Sequence, residues 1–241
     1  MKLKIFLVIL FVSIWEVASF FTESYILPDP LQVLKVIYQS INYDLFKNIS
    51  GSLLRLLIGY TISLITALLL SIFAQKYDII KRSVSIVSSS ALKVPNIAYL
   101  TFFMLFVGVG DYTVILTIVV TLIPTITLSF LSVFDQLNRH VTEISDIFKV
   151  PFYRRTIYFY IPSLVESFSS ILSLTFSLGF KLLIMAEFIA GTNGLGYRLV
   201  EKKVSFNMDE VMAYILIIVI SGLLAEKVLE IGFKRIKRWI F

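Results

Sequence analysis

The sequence predicts an all-α, polytopic membrane protein of about six transmembrane helices, with a short helix pair between the fourth and the fifth. Three observations carry this. Of 241 residues, 58% are hydrophobic and 16% charged, with a mean hydropathy of +0.89; soluble domains carry about a quarter of their residues charged. Long apolar runs recur, and at about 20 residues per span the length accommodates roughly six. Basic residues also collect in alternate loops, as they do on the cytoplasmic side of membrane proteins.

The first run, residues 5–21, follows Met1-Lys2-Leu3-Lys4 and has the outline of a signal peptide. It passes through Trp15-Glu16-Val17-Ala18 without a clear small-x-small cleavage site, and so reads as a retained first span. Glu16 is costly in lipid and is expected to face protein or water. Leu27-Pro28-Asp29-Pro30 then breaks the chain, with Asp29 suited to an N-cap and Pro30 to the first helical position. Leu31, Leu34, Ile37, Ile41 and Leu45 recur at helical spacing, predicting an amphipathic helix over 30–47 at the membrane interface.

The remaining spans are predicted at 52–74, 83–107, 112–134, 163–190 and 211–229. Arg55 stands near the start of the second, where a long side chain can snorkel. Lys93-Val94-Pro95-Asn96 interrupts the third, because proline removes a backbone hydrogen bond. Pro95 and Asn96 mark either a substrate pathway or a simple kink. Pro124 kinks the fourth span, with the hydroxyls of Thr121, Thr125 and Thr127 close enough to satisfy loosened backbone groups. The fifth is rich in serine and glycine, which lets helices approach closely and places it at the centre of the bundle or at a subunit interface.

Lys181 and Glu187 lie in that fifth span, and charges within a membrane default to a functional reading. At about 100° per residue they face different sides of the helix. The pathway candidates are therefore Pro95, Asn96, Pro124, Lys181 and Glu187, an interfacial position being the other reading of Glu187.

Little in the chain has catalytic character. There are no cysteines, one histidine (His140), no phosphate-binding glycine loop and no nucleophile elbow. No catalytic residue, metal site or cofactor is expected. Active transport would draw its energy from an ion gradient or from another subunit.

With the N-terminus inside, Lys76, Lys81, Arg82, Arg139, Lys149, Arg154, Arg155 and the closing Lys234-Arg235-Ile236-Lys237-Arg238 all fall on the cytoplasmic side. Lys35, Lys47, Arg198, Lys202 and Lys203 fall outside. This bias places both termini in the cytoplasm of a multi-pass plasma (inner) membrane protein, and explains the net charge of +6 without nucleic acid.

One charged stretch is too polar for lipid: Glu143-Ile144-Ser145-Asp146-Ile147-Phe148-Lys149-Val150-Pro151-Phe152-Tyr153-Arg154-Arg155, running on to Tyr160-Ile161-Pro162. It predicts a short helix, a turn over 149–152 and a second short helix that docks a soluble partner. The stretch resembles the cytoplasmic signature of ABC importer permease subunits, the binding-protein-dependent transport inner-membrane components. That pattern is Glu-Ala-Ala, three residues, Gly, nine residues, then Ile-x-Leu-Pro. Glu143-Ile144-Ser145 takes the first triplet, Lys149 the glycine position, and Phe159-Tyr160-Ile161-Pro162 falls at the required spacing. The glutamate, spacing and final proline are kept; the alanines and glycine are replaced.

Further segments resemble the nitrate/sulfonate/taurine branch of that family. They are Leu27-Pro28-Asp29-Pro30, Ser52-Leu53-Leu54-Arg55-Leu56-Leu57-Ile58-Gly59, Val94-Pro95-Asn96-Ile97-Ala98, Phe106-Val107-Gly108-Val109-Gly110, Ala186-Glu187-Phe188, Gly194-Leu195-Gly196-Tyr197 and the basic end closing on Trp239. The resemblance implies a homo- or heterodimer of permease subunits, two cytoplasmic ABC ATPase subunits and an extracytoplasmic solute-binding protein. The solute would be small: an anion such as a sulfonate or nitrate, or a vitamin precursor. It also implies that segment 141–162 is the coupling element. Glu143 would meet a basic residue of the ATPase, Ile144, Phe148 and Phe152 would add apolar contact, and Ser145, Lys149 and Pro162 would complete the motif. Glu143 also suits a helix N-terminus after Thr142. A lysine in the left-handed conformation that glycine tolerates costs roughly 1–2 kcal/mol, although Pro151 can start the next helix without it. The alternative is a gradient-driven secondary transporter with Glu16, Glu187 and Lys181 as a proton path, a class marked by internal repeats that are not evident here.

Overall fold

A computed structural model describes residues 2–23, 26–147 and 161–240. Phe148, Lys149 and Phe152 lie outside the described residues, and of Glu143, Ile144, Ser145 and Pro162 only the backbone lies within them. Among the described residues there are nine helices: α1 (Lys2–Phe20), α2 (Pro30–Ser40), α3 (Tyr43–Ala74), α4 (Asp78–Ala91), α5 (Asn96–Val107), α6 (Asp111–Ile147), α7 (Ile161–Ala190), α8 (Leu195–Val204) and α9 (Met208–Ile240).

The start of α2 follows from its residues. Pro30 takes the first position, and the Asp29 carboxylate accepts from the Gln32 N–H at 2.6 Å. The helix expected to run to residue 47 stops at Ser40. Asn42 caps a new helix instead, its Oδ1 accepting from the Leu45 N–H at 2.9 Å, because a short amide side chain competes for backbone donors. Ile41 and Leu45 therefore belong to no common face with Leu31 and Leu34, and the second long helix begins at Tyr43 rather than 52.

α3 carries a stripe of small residues, Gly59, Ser63, Ala67 and Ser71, one per turn and all buried. Small residues let two backbones meet. A methyl at Gly59 would stand 3.0 Å from Ile118 Cγ2. The Ser63 hydroxyl lies 2.7 Å from the Gly59 carbonyl and 3.4 Å from that of Val119. Ser71 likewise reaches the Ala67 carbonyl at 2.7 Å and that of Thr127 at 3.3 Å. The partner positions climb together along both chains, so α3 and α6 run parallel.

α7 lies antiparallel across both. The Tyr60 hydroxyl donates to the Leu172 carbonyl at 2.9 Å, and its ring meets Phe176 edge-on. Phe130 stacks on Phe168 at 4.6 Å. The shared core is Leu56, Tyr60, Ile118, Leu122, Ile126, Phe130, Phe176 and Leu183. α9 returns along α7, with Gly222 against the Phe180 ring.

Two parallel neighbours need a crossing between them. α4 and α5 supply it, bent by 87° across a break at Leu92–Pro95. The interruption expected as a pathway mark or a kink is thus a full corner, stapled where the Tyr99 hydroxyl donates to the Ala91 carbonyl at 3.0 Å. α6, by contrast, continues through Pro124. Among the described residues, Thr125 of the three nearby threonines bonds backbone, to Thr121 O at 3.4 Å, while the Thr121 and Thr127 hydroxyls are buried without a partner.

The chain is an all-helical, polytopic membrane protein. Among the described residues, Tyr43–Ala74, Asp111–Leu137, Ser167–Ala190 and Met208–Phe233 are long and apolar enough to cross a membrane, and the bent α4–α5 pair, counted as one span, brings the number to five. α1 adds an apolar stretch, Ile9–Phe20, that packs mainly on α2 and is held where Trp15 Nε1 donates to the Pro28 carbonyl at 3.0 Å.

Candidate functional site

Three helices converge at one end of the bundle on Glu187, which is 1% exposed. Its Oε1 accepts from Arg55 Nη1 of α3 at 2.7 Å, and its Oε2 from the Ser52 hydroxyl at 2.8 Å and the Gly196 N–H at 3.0 Å. Arg55 also donates from Nε to Asp111 Oδ1 at 2.8 Å, at the first residue of α6. Ser52 Oγ accepts from the Leu195 N–H at 2.9 Å, and Asn48 Oδ1 from the Gly194 N–H at 3.0 Å. The N–H groups of Gly194, Leu195 and Gly196 at the start of α8 thus each meet an α3 or α7 side chain, and the positive end of its dipole lies on a carboxylate.

The loop glycines follow from this packing. A methyl at Gly194 would fall on the Glu187 carboxylate, and φ there is +104°, which side chains rarely adopt. A methyl at Gly196 would stand 2.5 Å from the Ile184 carbonyl oxygen. Arg55, expected to snorkel, is 6% exposed instead: it is held between a buried carboxylate and the half-exposed Asp111. Buried charges survive when paired and hydrogen-bonded, and here each partner is.

A second feature lies on the outward face of α7. With α9 it forms a groove of about 560 Å³ whose walls are apolar, Phe180, Met185, Phe188 and Leu223 among them. Lys181 and Glu226 also line it, and among the described residues Lys181 makes no ion pair or hydrogen bond.

Residues 59–241 match the family described as the binding-protein-dependent transport system inner membrane component. The chain belongs to this family. It is an ABC transporter permease subunit, of a family that does not itself hydrolyse ATP. It is 25% identical over 229 residues, 93% of this chain and 88% of the relative, to the formylaminopyrimidine transport permease protein ThiX of Halalkalibacterium halodurans. Its fold is similar to that of a chain of the MetNI methionine ABC transporter solved in inward-facing conformations, with a TM-score of 0.53 and 17% identity over 82% of this chain and 94% of that one.

The permease fold separates the residues singled out in the sequence. Pro95 and Asn96 are exposed at the α4–α5 corner, Pro124 is buried within α6, Lys181 opens onto the groove and Glu187 is enclosed. Sequence reasoning missed Arg55, Ser52, Asn48 and Asp111 as Glu187's surroundings. The signal is present in the sequence: Arg55 is an opposite charge in another apolar run. Four of the segments that resemble permeases, around Arg55, Gly110, Glu187 and Gly194, meet in this one cluster.

Proposed function

We propose that this permease carries a small amino-bearing solute along the α7–α9 groove, paired with a second permease subunit, and that segment 141–162 couples it to ABC ATPase subunits. The observation that carries the pathway is Lys181. It lies nine residues before the end of α7, about 13 Å into the span. An ammonium at that depth is costly against lipid, so this face calls for protein or water. A second subunit supplies the protein and the pathway supplies the water.

The groove presents an ammonium and a carboxylate together, Lys181 and Glu226. That pair suits a solute carrying both donors and acceptors better than a bare anion. The relative named for formylaminopyrimidine supports the same choice, so of the expected solutes we take the vitamin-precursor class over sulfonate and nitrate. Glu187, enclosed and fully bonded, locks three helices rather than lining the path.

The coupling reading rests on placement. α6 runs on through Glu143 to Ile147, so the expected first short helix is continuous with the fourth long one, and α7 starts at Ile161; both flanks emerge at the end where Lys81 pairs with Asp135. That end would be cytoplasmic with both termini, and a solute-binding protein would meet the Glu187 end. Glu143, Ile144, Ser145, Phe148 and Phe152 would contact the ATPase, with Lys149 at the turn and Pro162 opening α7. Closure of the ATPase dimer would draw two such elements together and rotate α6 and α7.

The test is uptake of a labelled aminopyrimidine into proteoliposomes. It is expected to need ATP, ATPase subunits and binding protein, and to fall at least tenfold in Lys181→Met while the complex still assembles. Uptake driven by an ion gradient alone would instead support a secondary transporter.

A further inference from the structure

At the Glu187 end, where α2, α3, α8 and α9 meet, lies a cavity of about 430 Å³ that shares no lining residue with the groove. Its size is in the range of small-molecule sites. Unlike the groove, its walls are polar, with Gln39, Asp44, Arg198, Glu210 and Tyr214 among them.

Most of these groups are already committed. Arg198 Nη1 pairs with Glu201 Oε2 at 2.7 Å, and Lys202 Nζ with Glu210 Oε2 at 2.5 Å. Asn207 donates to Glu210 Oε1 at 2.9 Å, and Gln32 to Asp209 Oδ2 at 2.5 Å. Two side chains take no part in these hydrogen bonds, although the Arg198 charge acts on both. Tyr214 is 8% exposed, and among the described residues its hydroxyl has no hydrogen-bond partner. The residue is buried by its ring and lines the cavity, so its hydroxyl is open to whatever fills that space. The Asp44 carboxylate, in the first turn of α3, likewise has no hydrogen bond or ion pair among the described residues.

The lining carries three carboxylates, Asp44, Asp209 and Glu210, against two cations, Arg198 and Lys202. With both cations paired, the open groups are an acceptor, an amphoteric hydroxyl and the Gln39 amide, and the surplus charge is negative. That complement fits a donor-rich, positively charged occupant. Among the described residues no three carboxylate or histidine groups are placed together to hold a metal ion.

We propose that this cavity binds a small organic amine, its ammonium on Asp44 and a ring or polar edge on the Tyr214 hydroxyl. The occupant is the solute itself, held at the mouth before it enters the groove, and to that extent the inference rests on the proposed function.

The experiment uses the assembled transporter, permease with its ATPase subunits, in lipid nanodiscs. Calorimetry follows binding of 4-amino-5-aminomethylpyrimidine, with methanesulfonate as the anionic probe. The expected result is saturable binding of the amine, weakened at least tenfold in Asp44→Asn and several-fold in Tyr214→Phe, and no binding of the sulfonate. Both substitutions are nearly isosteric, and thermal unfolding of each complex shows whether it is intact. Absence of amine binding to the wild type, equal binding in both intact variants, or preference for the sulfonate would each overturn the proposal. Uptake is measured in parallel. Transport without cavity binding sinks this inference alone, whereas cavity binding without transport sinks the solute reading and leaves the amine site standing.

Discussion

Arg55 and Asp111 meet at 2.8 Å and stand 56 residues apart, the same separation that divides Ser63 from Val119 and Ser71 from Thr127. One constant offset over four turns means that two parallel helices keep step from the polar end of the bundle to its middle.

A cysteine pair tests the parallel register directly, because the chain has no cysteine of its own. The Cβ position at Gly59 lies 3.1 Å from Ile118 Cβ, a few tenths of an ångström short of the roughly 3.5–4.5 Å that a disulfide spans, so a small outward shift admits the bridge. Gly59→Cys with Ile118→Cys is expected to cross-link on mild oxidation, read as a mobility shift on a gel. Gly59→Cys with Thr127→Cys is expected to stay open. The reverse pattern would refute the register.

Removing Arg55 leaves the Glu187 carboxylate buried without its cation. Arg55→Met is expected to cost about 3–5 kcal/mol, as breakage of buried pairs does. Arg55→Met combined with Glu187→Gln should recover much of this loss, since no charge is then stranded. Thermal unfolding in detergent reads both; a single variant as stable as the wild type would contradict the enclosed carboxylate.

Gly196 meets backbone on the side where a methyl would go, with the Ile184 carbonyl oxygen 2.5 Å away and the Phe188 nitrogen 2.8 Å away. Backbone cannot step aside as a flexible side chain can. Gly196→Ala is expected to cost roughly 1–3 kcal/mol, the usual range for overpacking. Protease sensitivity of the loop after α7 should rise with it. Gly232→Ala, where nothing lies within 4 Å, is the neutral comparison.

For the coupling segment the expectation concerns assembly. Glu143→Ala should lower the ATPase retained in pull-down by about tenfold, one charge-assisted hydrogen bond being worth roughly 1.5–3 kcal/mol. Membrane insertion should be unaffected. Lys149→Gly should preserve or improve ATP-coupled transport, because glycine takes a left-handed turn at little cost. A severe loss in that variant would show that the lysine itself touches the partner.

How much was legible in the sequence follows from how local each signal is. Helix positions rest on apolar run length, and caps on single side chains, so Asp29 and Pro30 were readable one residue at a time. The small-residue stripe of α3 was equally visible, yet it names no partner; only the fold matched it to α6. The Glu187 cluster was hidden for the same reason. Its members come from residues 48–55, 111, 187 and 194–196, and no periodicity links those places. The 30–47 helix failed where a cap outweighed an apolar repeat: Asn42 offers a bonded start to α3, whereas Ile41 offers only one more apolar side chain.

The bent α4–α5 unit takes on a different meaning beside that constant offset. Register between α3 and α6 is held by glycine, serine and the Arg55–Asp111 pair, all of which lie outside the connection. The number 56 therefore counts chain, and nothing physical depends on it. Residues added or removed around the exposed corner at Lys93, Val94 and Pro95 would alter the arithmetic while leaving the two helices in place.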